Sequence, residues 1–228
     1  FINYEIILSN PLIVKSLFNS LFITIVGTFL NLFLTAITAY VLARNEFVGK
    51  KIVLILLIAI MVFEPSMITE YLLMKDLNLL NTYGSVILYK AINVYYLFIL
   101  MRFFQEVPDS IVEAAKIDGA SGAQTLFRVI IPNVMPSITI CTFLSLTNGF
   151  KLFDQNLALT GGQPFIIQPD GSSIKTTEML ALNIYSTFYG QGASAPGYAQ
   201  AKAVIFFILV AALGLLQLSF TRKREVQQ

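Results

Sequence analysis

The chain has 228 residues, of which 56% are hydrophobic and only 12% are charged. A soluble domain carries about 25% charged residues, so this composition is typical of a protein embedded in a lipid bilayer. Histidine is absent, which excludes a histidine metal site and a histidine-dependent catalytic triad, and a net charge of +2 argues against a nucleic-acid partner. Cys141 is the single cysteine, so the chain forms no internal disulfide.

Apolar stretches predict about five membrane-spanning helices. A helix needs about 20 apolar residues to cross the ~30 Å hydrocarbon core. Three charge-free stretches reach this length, and two others are interrupted by Glu64-Pro65 or by Lys90. The predicted spans are 17–42, 52–72, 84–104, 132–150 and 201–221.

The basic residues predict the orientation of the chain. Nine of the 15 Lys and Arg residues follow the first span, lie between the third and fourth spans, or follow the last span. The positive-inside rule places these segments and the C-terminus in the cytoplasm, and with five spans Phe1 is external. Because the chain starts without an initiator Met or a signal peptide, we expect an upstream segment with one more span.

A run of small and polar residues, EAAKIDGASGAQTLFRVIIP, lies between the third and fourth predicted spans. Pro108 favours a helix start and Gly119 a left-handed stop, so a short helix is predicted over 108–118. Ser121 and Gln124 have the spacing of a capping box and predict a second short helix. We interpret the segment as a pair of helices in a cytoplasmic loop.

This loop resembles the signature of the membrane-spanning permease subunits of ABC importers, which reads E-A-A, three residues, Gly, nine residues and Ile-x-Leu-Pro. The Glu, both Ala residues and the Gly match, and Val-Ile-Ile-Pro closes the motif conservatively. In that family the loop docks on an ATP-hydrolysing subunit, so the resemblance implies that 105–131 is the coupling loop. The implied coupling residues are Glu113, Ala114, Ala115, Asp118 and Gly119.

Other segments are similar to carbohydrate permeases of the maltose and multiple-sugar type. They are NSLFITIVGTFLNLFLTAITAYVLARNEFVGKK in the first span, LNLLNTYGSVIL before the third and FDQNLALTGGQP after the fourth. The last departs from the usual Gly-Gly-Pro of this group because Gln163 intervenes. The resemblance implies an all-α membrane protein, a polytopic helix bundle with the type I permease fold of ABC importers, in which 1–228 is a single permease domain.

The chain lacks an ATP-binding P-loop. Around Gly49 and Lys50, Arg44 stands where the motif needs its first Gly and Lys51 where it needs Ser or Thr. The chain is therefore predicted not to be an enzyme and to bind no cofactor of its own. The resemblance implies that two partner ATPase subunits bind ATP and Mg²⁺, that a similar but non-identical second permease subunit completes the pathway, and that an extracytoplasmic solute-binding protein delivers a sugar. The implied location is the cytoplasmic (inner) membrane of a prokaryotic cell.

A sugar site requires amide and hydroxyl groups at membrane depth. The fourth span contains SLTNGFK, in which Leu144, Asn148 and Lys151 are spaced i, i+4, i+7 on one helical face. The resemblance implies that polar residues of this span contact sugar, and Asn148 aligns best with one of them. A helix-packing role for Asn148 stays equally open. The candidate substrate-binding residues are Leu144, Ser145, Asn148 and Lys151.

The segment 151–200 is rich in Gly, Ser, Thr and Pro and is predicted to be an external loop. The clusters TGG, PDGSS and APG predict turns, and TTEMLALNIYSTFYG has helical apolar spacing. The loop is longer than a connection needs, so we expect contact with the binding protein, with a plain loop as the alternative.

Three classes of function fit this pattern, and a sugar-importer permease is the leading one. A permease for an amino acid, phosphate or osmolyte is disfavoured because no basic cluster lies at membrane depth to hold an anion. A self-contained channel or secondary transporter would have no use for the coupling loop.

Overall fold

The structure, a computed structural model, describes most of the chain. The described residues are 7, 9–44, 48–63, 65–89, 91–167, 173–190 and 195–222. The predicted interruptions at Glu64 and Lys90, most of the PDGSS turn and the basic residues 223 and 224 lie outside the described residues.

Two helices are individually long and apolar enough to cross a membrane. Helix α1 extends over Pro11–Arg44, and the last helix of the chain, Ala195–Arg222, contains the second qualifying segment. These helices contain the predicted first and last spans. In the most apolar 18-residue stretch of the last helix, only 6% of the residues are buried.

Helix α1 buries a row of polar side chains, and many of its apolar side chains are exposed. Ser16, Ser20 and Thr24 recur at every fourth residue and are each at most 2% exposed, whereas Phe18 is 64% exposed. The hydroxyls of Ser16 and Ser20 donate to the carbonyls four residues earlier, at 3.1 and 3.0 Å. This distribution is the reverse of that in a soluble helix, and it is expected where lipid tails surround the protein.

Two further candidate spans are interrupted helices. Helices α2 (Lys50–Val62) and α3 (Met67–Asp76) are together long and apolar enough to form one interrupted candidate span. This pair covers the predicted span 52–72. The helical segment 122–133 and the following helix, Met135–Phe150, form the second pair and bend by 75°. The second helix of this pair matches the predicted fourth span, 132–150.

The predicted third span, 84–104, does not form a single helix of span length. This segment forms two helices, α4 (Tyr83–Leu88) and α5 (Val94–Glu106), and each is too short to cross ~30 Å by itself. Helix α5 starts anew because the Asn93 side chain accepts the N–H of Tyr96 at 3.1 Å. Among the described residues, two helices qualify as spans alone, or up to four spans if each interrupted pair counts as one.

The remaining elements follow α5 in two series, each of which ends in a helix that belongs to a candidate span. The first series is α6 (Asp109–Ile117), α7 (Gly122–Thr125), a π-helical turn (Leu126–Ile130), α8 (Ile131–Asn133) and α9 (Met135–Phe150). The second series is α10 (Phe153–Leu159), β1 (Phe165–Ile167), β2 (Ser173–Lys175), α11 (Leu180–Phe188) and α12 (Ala195–Arg222).

A short antiparallel hairpin lies in the predicted external loop. Phe165 pairs with Lys175, and Ile167 pairs with Ser173. Upstream of it, Gly161 and Gly162 have φ values of 55° and 86°, which confirms the turn predicted at TGG. The predicted APG turn is wrong, because these residues form the first turn of α12, where proline fits without loss of a helical hydrogen bond.

The chain divides into two compact units. The first unit contains residues 1–28, 65–89 and 146–214, and the second contains 29–64, 90–145 and 215–228. Two apolar clusters form the core of the first unit, one around Ile13 and Leu180 and the other around Ile23 and Met179. The core of the second unit is one larger cluster, and it includes Ala39, Leu42, Leu97, Leu100, Phe104, Val134 and the free Cys141.

Candidate functional site

Helix α6, in the second unit, ends in a well-formed left-handed cap. Gly119 has a φ of 80°. Its N–H donates to the carbonyl of Lys116, and the N–H of Ala120 donates to the carbonyl of Ala115, each at 3.0 Å. These two bonds form a Schellman motif, so the predicted left-handed stop is confirmed.

Helix α6 buries none of its side chains fully against the described part of the chain. Ile117 is 86% exposed, and Ile111 is also exposed. Among the residues predicted for coupling, Ala115 is half-buried and the others are exposed, namely Glu113, Ala114, Asp118 and Gly119. Helix α6 therefore presents an apolar surface, edged by carboxylates, that the described residues do not cover.

The helix after α6 combines a predicted feature with an unpredicted one. The Ser121 hydroxyl accepts the N–H of Gln124 at 3.3 Å, and the Gln124 side chain accepts the N–H of Ser121 at 2.8 Å, which confirms the capping box. A π-helical turn follows, in which the N–H of Ile131 bonds to the carbonyl of Leu126. A proline ring collides with the carbonyl four residues earlier in a regular helix, and the wider turn before Pro132 relieves this collision.

Arg44 connects the end of α1 to the junction between α5 and α6. One guanidinium nitrogen, Nη1, pairs with the Asp109 carboxylate, and the other, Nη2, donates to the Val107 carbonyl at 2.8 Å. Next to this contact, the rings of Tyr40 and Phe104 meet edge to face with their centroids 5.5 Å apart. The sequence assigned Arg44 a part in the orientation of the chain and in the exclusion of a P-loop, but gave no sign of this contact.

The candidate substrate residues lie on or beside α9. Leu144, Ser145 and Asn148 are in the helix, and Lys151 follows its last residue. Asn148 and Lys151 are exposed and belong to the first unit, whereas Leu144 and Ser145 are half-buried and belong to the second. Leu144 packs against the core of its unit. Whether these residues touch a substrate stays a prediction.

Within the first unit, α9 and α1 approach each other closely at Gly149. A Cβ atom built on Gly149 would lie 2.8 Å from the Thr24 side-chain methyl, which is closer than real contacts allow. Glycine is therefore required where the two helices meet. Glycine in an apolar helix was the only sequence signal for this contact.

Residues 176–180, which we call the buried connector, lead from β2 into α11. Four of the five are buried, and Thr176 is half-buried. The Asn19 side chain donates to the carbonyls of Thr176 and Glu178 at 2.9 and 3.0 Å, and the Ser20 hydroxyl accepts the N–H of Leu180 at 2.7 Å. Polar side chains of α1 thus satisfy main-chain groups of this segment, while the N–H groups of Thr176 and Thr177 donate to the carbonyls of Pro164 and Gly162.

Side chains from two other helices also form hydrogen bonds with the buried connector. The Asn156 side chain in α10 accepts the N–H of Met179 and donates to the carbonyl of Thr177, each at 2.9 Å. The Tyr83 hydroxyl donates to the Thr176 carbonyl at 2.7 Å. The buried connector is therefore held from three helices of the first unit.

A chain of buried polar groups links the buried connector to α12. The Glu178 carboxylate accepts from Lys175 and from the Asn183 amide, each at 2.8 Å. Lys202 donates to the Asn183 carbonyl oxygen at 2.8 Å and to the Thr187 hydroxyl at 2.7 Å. Both Glu178 and Lys202 are buried, and these bonds supply the partners that buried charges require.

The hairpin that precedes the buried connector exposes apolar side chains. All three residues of β1, Phe165, Ile166 and Ile167, are exposed. No partner strand other than β2 covers them among the described residues. An exposed apolar hairpin is a feature of interaction surfaces.

Comparison with known proteins identifies one family. Residues 27–226 match the family model described as "Binding-protein-dependent transport system inner membrane component". The chain is 39% identical over 145 residues to the polygalacturonan/rhamnogalacturonan transport system permease protein YtcP of Bacillus subtilis (strain 168), which covers 63% of this chain and 51% of YtcP. It is 41% identical over 133 residues to AmyD of Thermoanaerobacterium thermosulfurigenes, a probable starch degradation products transport system permease protein, which covers 58% of this chain and 42% of AmyD. The chain thus spans about half the length of these relatives, or less.

The fold is also found in solved structures. A bacterial ABC transporter involved in the import of the acidic polysaccharide alginate superposes with a TM-score of 0.77 at 21% identity, over 92% of this chain and 75% of the other. A second structure, the alginate transporter in complex with its pentasaccharide-bound periplasmic protein, gives a TM-score of 0.60 at 15% identity, over 97% of this chain and 81% of the other. These likenesses establish the fold.

Proposed function

The chain belongs to the family of binding-protein-dependent transport system inner membrane components, and from this membership we propose that it is the permease subunit of an ABC importer for a sugar or oligosaccharide. The chain is a multi-pass protein of the inner membrane, and it is a transport component and not an enzyme. In this proposal it forms half of the translocation pathway.

The proposed cargo rests on the relatives. YtcP and AmyD are named for transport of polygalacturonan/rhamnogalacturonan and of starch degradation products, and MsmF of Streptococcus mutans is a multiple sugar-binding transport system permease protein, 38% identical over 122 residues. A polyol also suits the exposed amide of Asn148 on α9. Dependence on a binding protein disfavours the self-contained channel or secondary transporter.

The proposed partners rest on the family membership and on surfaces that the described residues leave exposed. Two ATPase subunits bind ATP and Mg²⁺. One of them receives the apolar, carboxylate-edged surface of α6, which lies within the coupling loop 105–131. A second permease subunit lines the other half of the pathway. The exposed hairpin in 151–200 meets the solute-binding protein outside, and the C-terminus lies in the cytoplasm, as the basic residues predict.

The exposure of α6 is the observation that carries this proposal. A nine-residue helix with an apolar face has little stability in water, because short helices depend on packing against a surface. Its start and its stop are nevertheless both specified, by Pro108 and Gly119. A docking cleft on a partner protein supplies the missing packing.

Cross-linking tests the coupling assignment. With Cys141→Ser as background, a cysteine placed by Ala114→Cys is expected to capture an ATPase subunit in membranes that contain the assembled complex. The control is Phe33→Cys, since Phe33 is also exposed but lies inside the first span. Adducts from the control alone, or none from position 114, would contradict the assignment.

A second substitution tests whether Asn148 of α9 contacts the substrate. Asn148→Ala is expected to change the uptake KM about two- to tenfold without altering the amount of assembled complex, because one neutral hydrogen bond contributes about 0.5–1.5 kcal/mol. Uptake of labelled sugar into proteoliposomes measures this effect, and Ile140→Ala, an exposed apolar position on the same helix, is the control. Unchanged kinetics together with weaker assembly would assign Asn148 to helix packing.

A further inference from the structure

We infer that Arg44 is a positioning residue for energy coupling, which fastens the start of α6 to the end of α1 so that displacement of α6 moves the first span. This inference rests on the proposed function and names the route by which the docked helix acts inside this chain. No sequence pattern assigned Arg44 this role.

The geometry gives one side chain two attachments, both within the second unit. Asp109 lies in the first turn of α6, and Val107 is the residue that caps the end of α5. The Arg44 guanidinium binds the carboxylate of the first and the carbonyl of the second. A planar fork of donors suits this two-point contact, whereas a lysine ammonium would act as a point charge.

Other contacts make the end of α1 and α5 a single packed body. Ala39 and Leu42 of α1 belong to the same buried cluster as Leu100 and Phe104 of α5. Interiors packed in this way transmit displacement with little loss, because they are not easily compressed. The Arg44 side chain, only 15% exposed, is at the edge of this body.

Helix α6 is attached to that body by apolar contacts as well. Among the described residues, Val112 is its side chain that packs against the buried cluster, and α6 also contacts α7 and the π-helical turn. The hydrogen bonds of Arg44 add a polar attachment at the junction between α5 and α6, on either side of Pro108. Without them, α6 is joined to this body by the chain at Val107–Pro108 and by apolar contacts, so we expect its displacement to reach α1 less directly.

A second arginine nearby provides a matched control. Arg102 pairs with Glu106 at 3.3 Å, but both side chains are largely exposed, at 72% and 55%, and both residues belong to α5. An exposed pair within one helix contributes little to stability and joins no two elements. Loss of this pair removes a positive charge from the same region and leaves the attachment of α6 intact.

The test uses the complex reconstituted with its ATPase subunits and binding protein. Arg44→Met keeps an unbranched side chain and removes the donors, and we expect the stimulation of ATP hydrolysis by sugar-loaded binding protein to fall about fivefold or more, the scale of typical coupling between sites. Arg44→Lys is expected to restore part of the stimulation, and Arg102→Met to match wild type. Copurification of the ATPase subunits measures assembly separately for each variant.

The outcomes separate this inference from the proposed function. Full stimulation in Arg44→Met, with assembly at the wild-type level, overturns the inference and leaves the proposed function standing. A loss of stimulation that only follows a loss of assembly, with Arg44→Lys no better than Arg44→Met, also overturns it, because the side chain then serves folding alone. If the wild-type chain copurifies with no ATPase subunit, the proposed function itself fails.

Discussion

Substitution of Gly119 by valine is expected to uncouple ATP hydrolysis from transport and to lower sugar uptake about tenfold. The φ of 80° at Gly119 lies in the left-handed region, which costs residues with a Cβ about 1–2 kcal/mol, and β-branched residues are the least tolerant. The open space around the residue offers no relief, since the strain is in the backbone. The chain then leaves α6 in another direction, and the surface that meets the ATPase is lost.

Gly122 provides the matched control for this prediction. A Cβ atom at Gly122 also meets nothing within 4 Å, but its backbone is in the first turn of a regular helix. Gly122→Val is therefore expected to transport nearly as wild type. The measurement compares uptake with ATP hydrolysis in proteoliposomes. Normal coupled uptake by Gly119→Val would show that coupling does not depend on the left-handed cap of α6.

Replacing Asn156 with alanine is expected to produce the largest loss of stability in the first unit. The Asn156 side chain is fully buried and bonds to the N–H of Met179 and to the carbonyl of Thr177. Its removal leaves both main-chain groups unsatisfied, at a cost of about 1–3 kcal/mol each. Thermal unfolding in detergent and protease digestion within residues 151–200 are expected to show a less stable unit that is cut more rapidly.

The neighbouring Gln155 separates this effect from a general loss of polar contact. Gln155 is half-buried and donates to the Tyr89 hydroxyl at 3.0 Å. Gln155→Ala is expected to cost about 1 kcal/mol or less, because water can reach the groups that it exposes. Equal unfolding temperatures for the two variants would show that the buried connector does not depend on Asn156.

Local signals made much of the fold predictable. The apolar lengths of α1 and α12 mark them as spans, and the capping box and the left-handed stop each depend on residues a few positions apart. The third span failed because its apolar length gave no sign of the cap at Asn93, which starts a separate helix. The π-helical turn was also missed, since Pro132 predicts an irregularity without specifying its form.

The contacts that organise the candidate sites could not be predicted in this way. Asn19 and Thr176 are 157 positions apart, and Arg44 and Asp109 are 65 apart. Such bonds form only once the helices have packed, so neither periodicity nor spacing reveals them. The candidate substrate residues were predicted from residue type, helical spacing and the family resemblance, and for this reason Asn148 requires the experiment described above.

The meeting of α9 with α1 at Gly149 has a consequence for how the pathway could change its specificity. The Thr24 side chain of α1 lies where a side chain at position 149 would stand, so α9 has no room for one at this crossing, next to Asn148, the candidate substrate residue. A new cargo would be accommodated by exchanging side chains along the helix, while the crossing point stays the same from one cargo to the next.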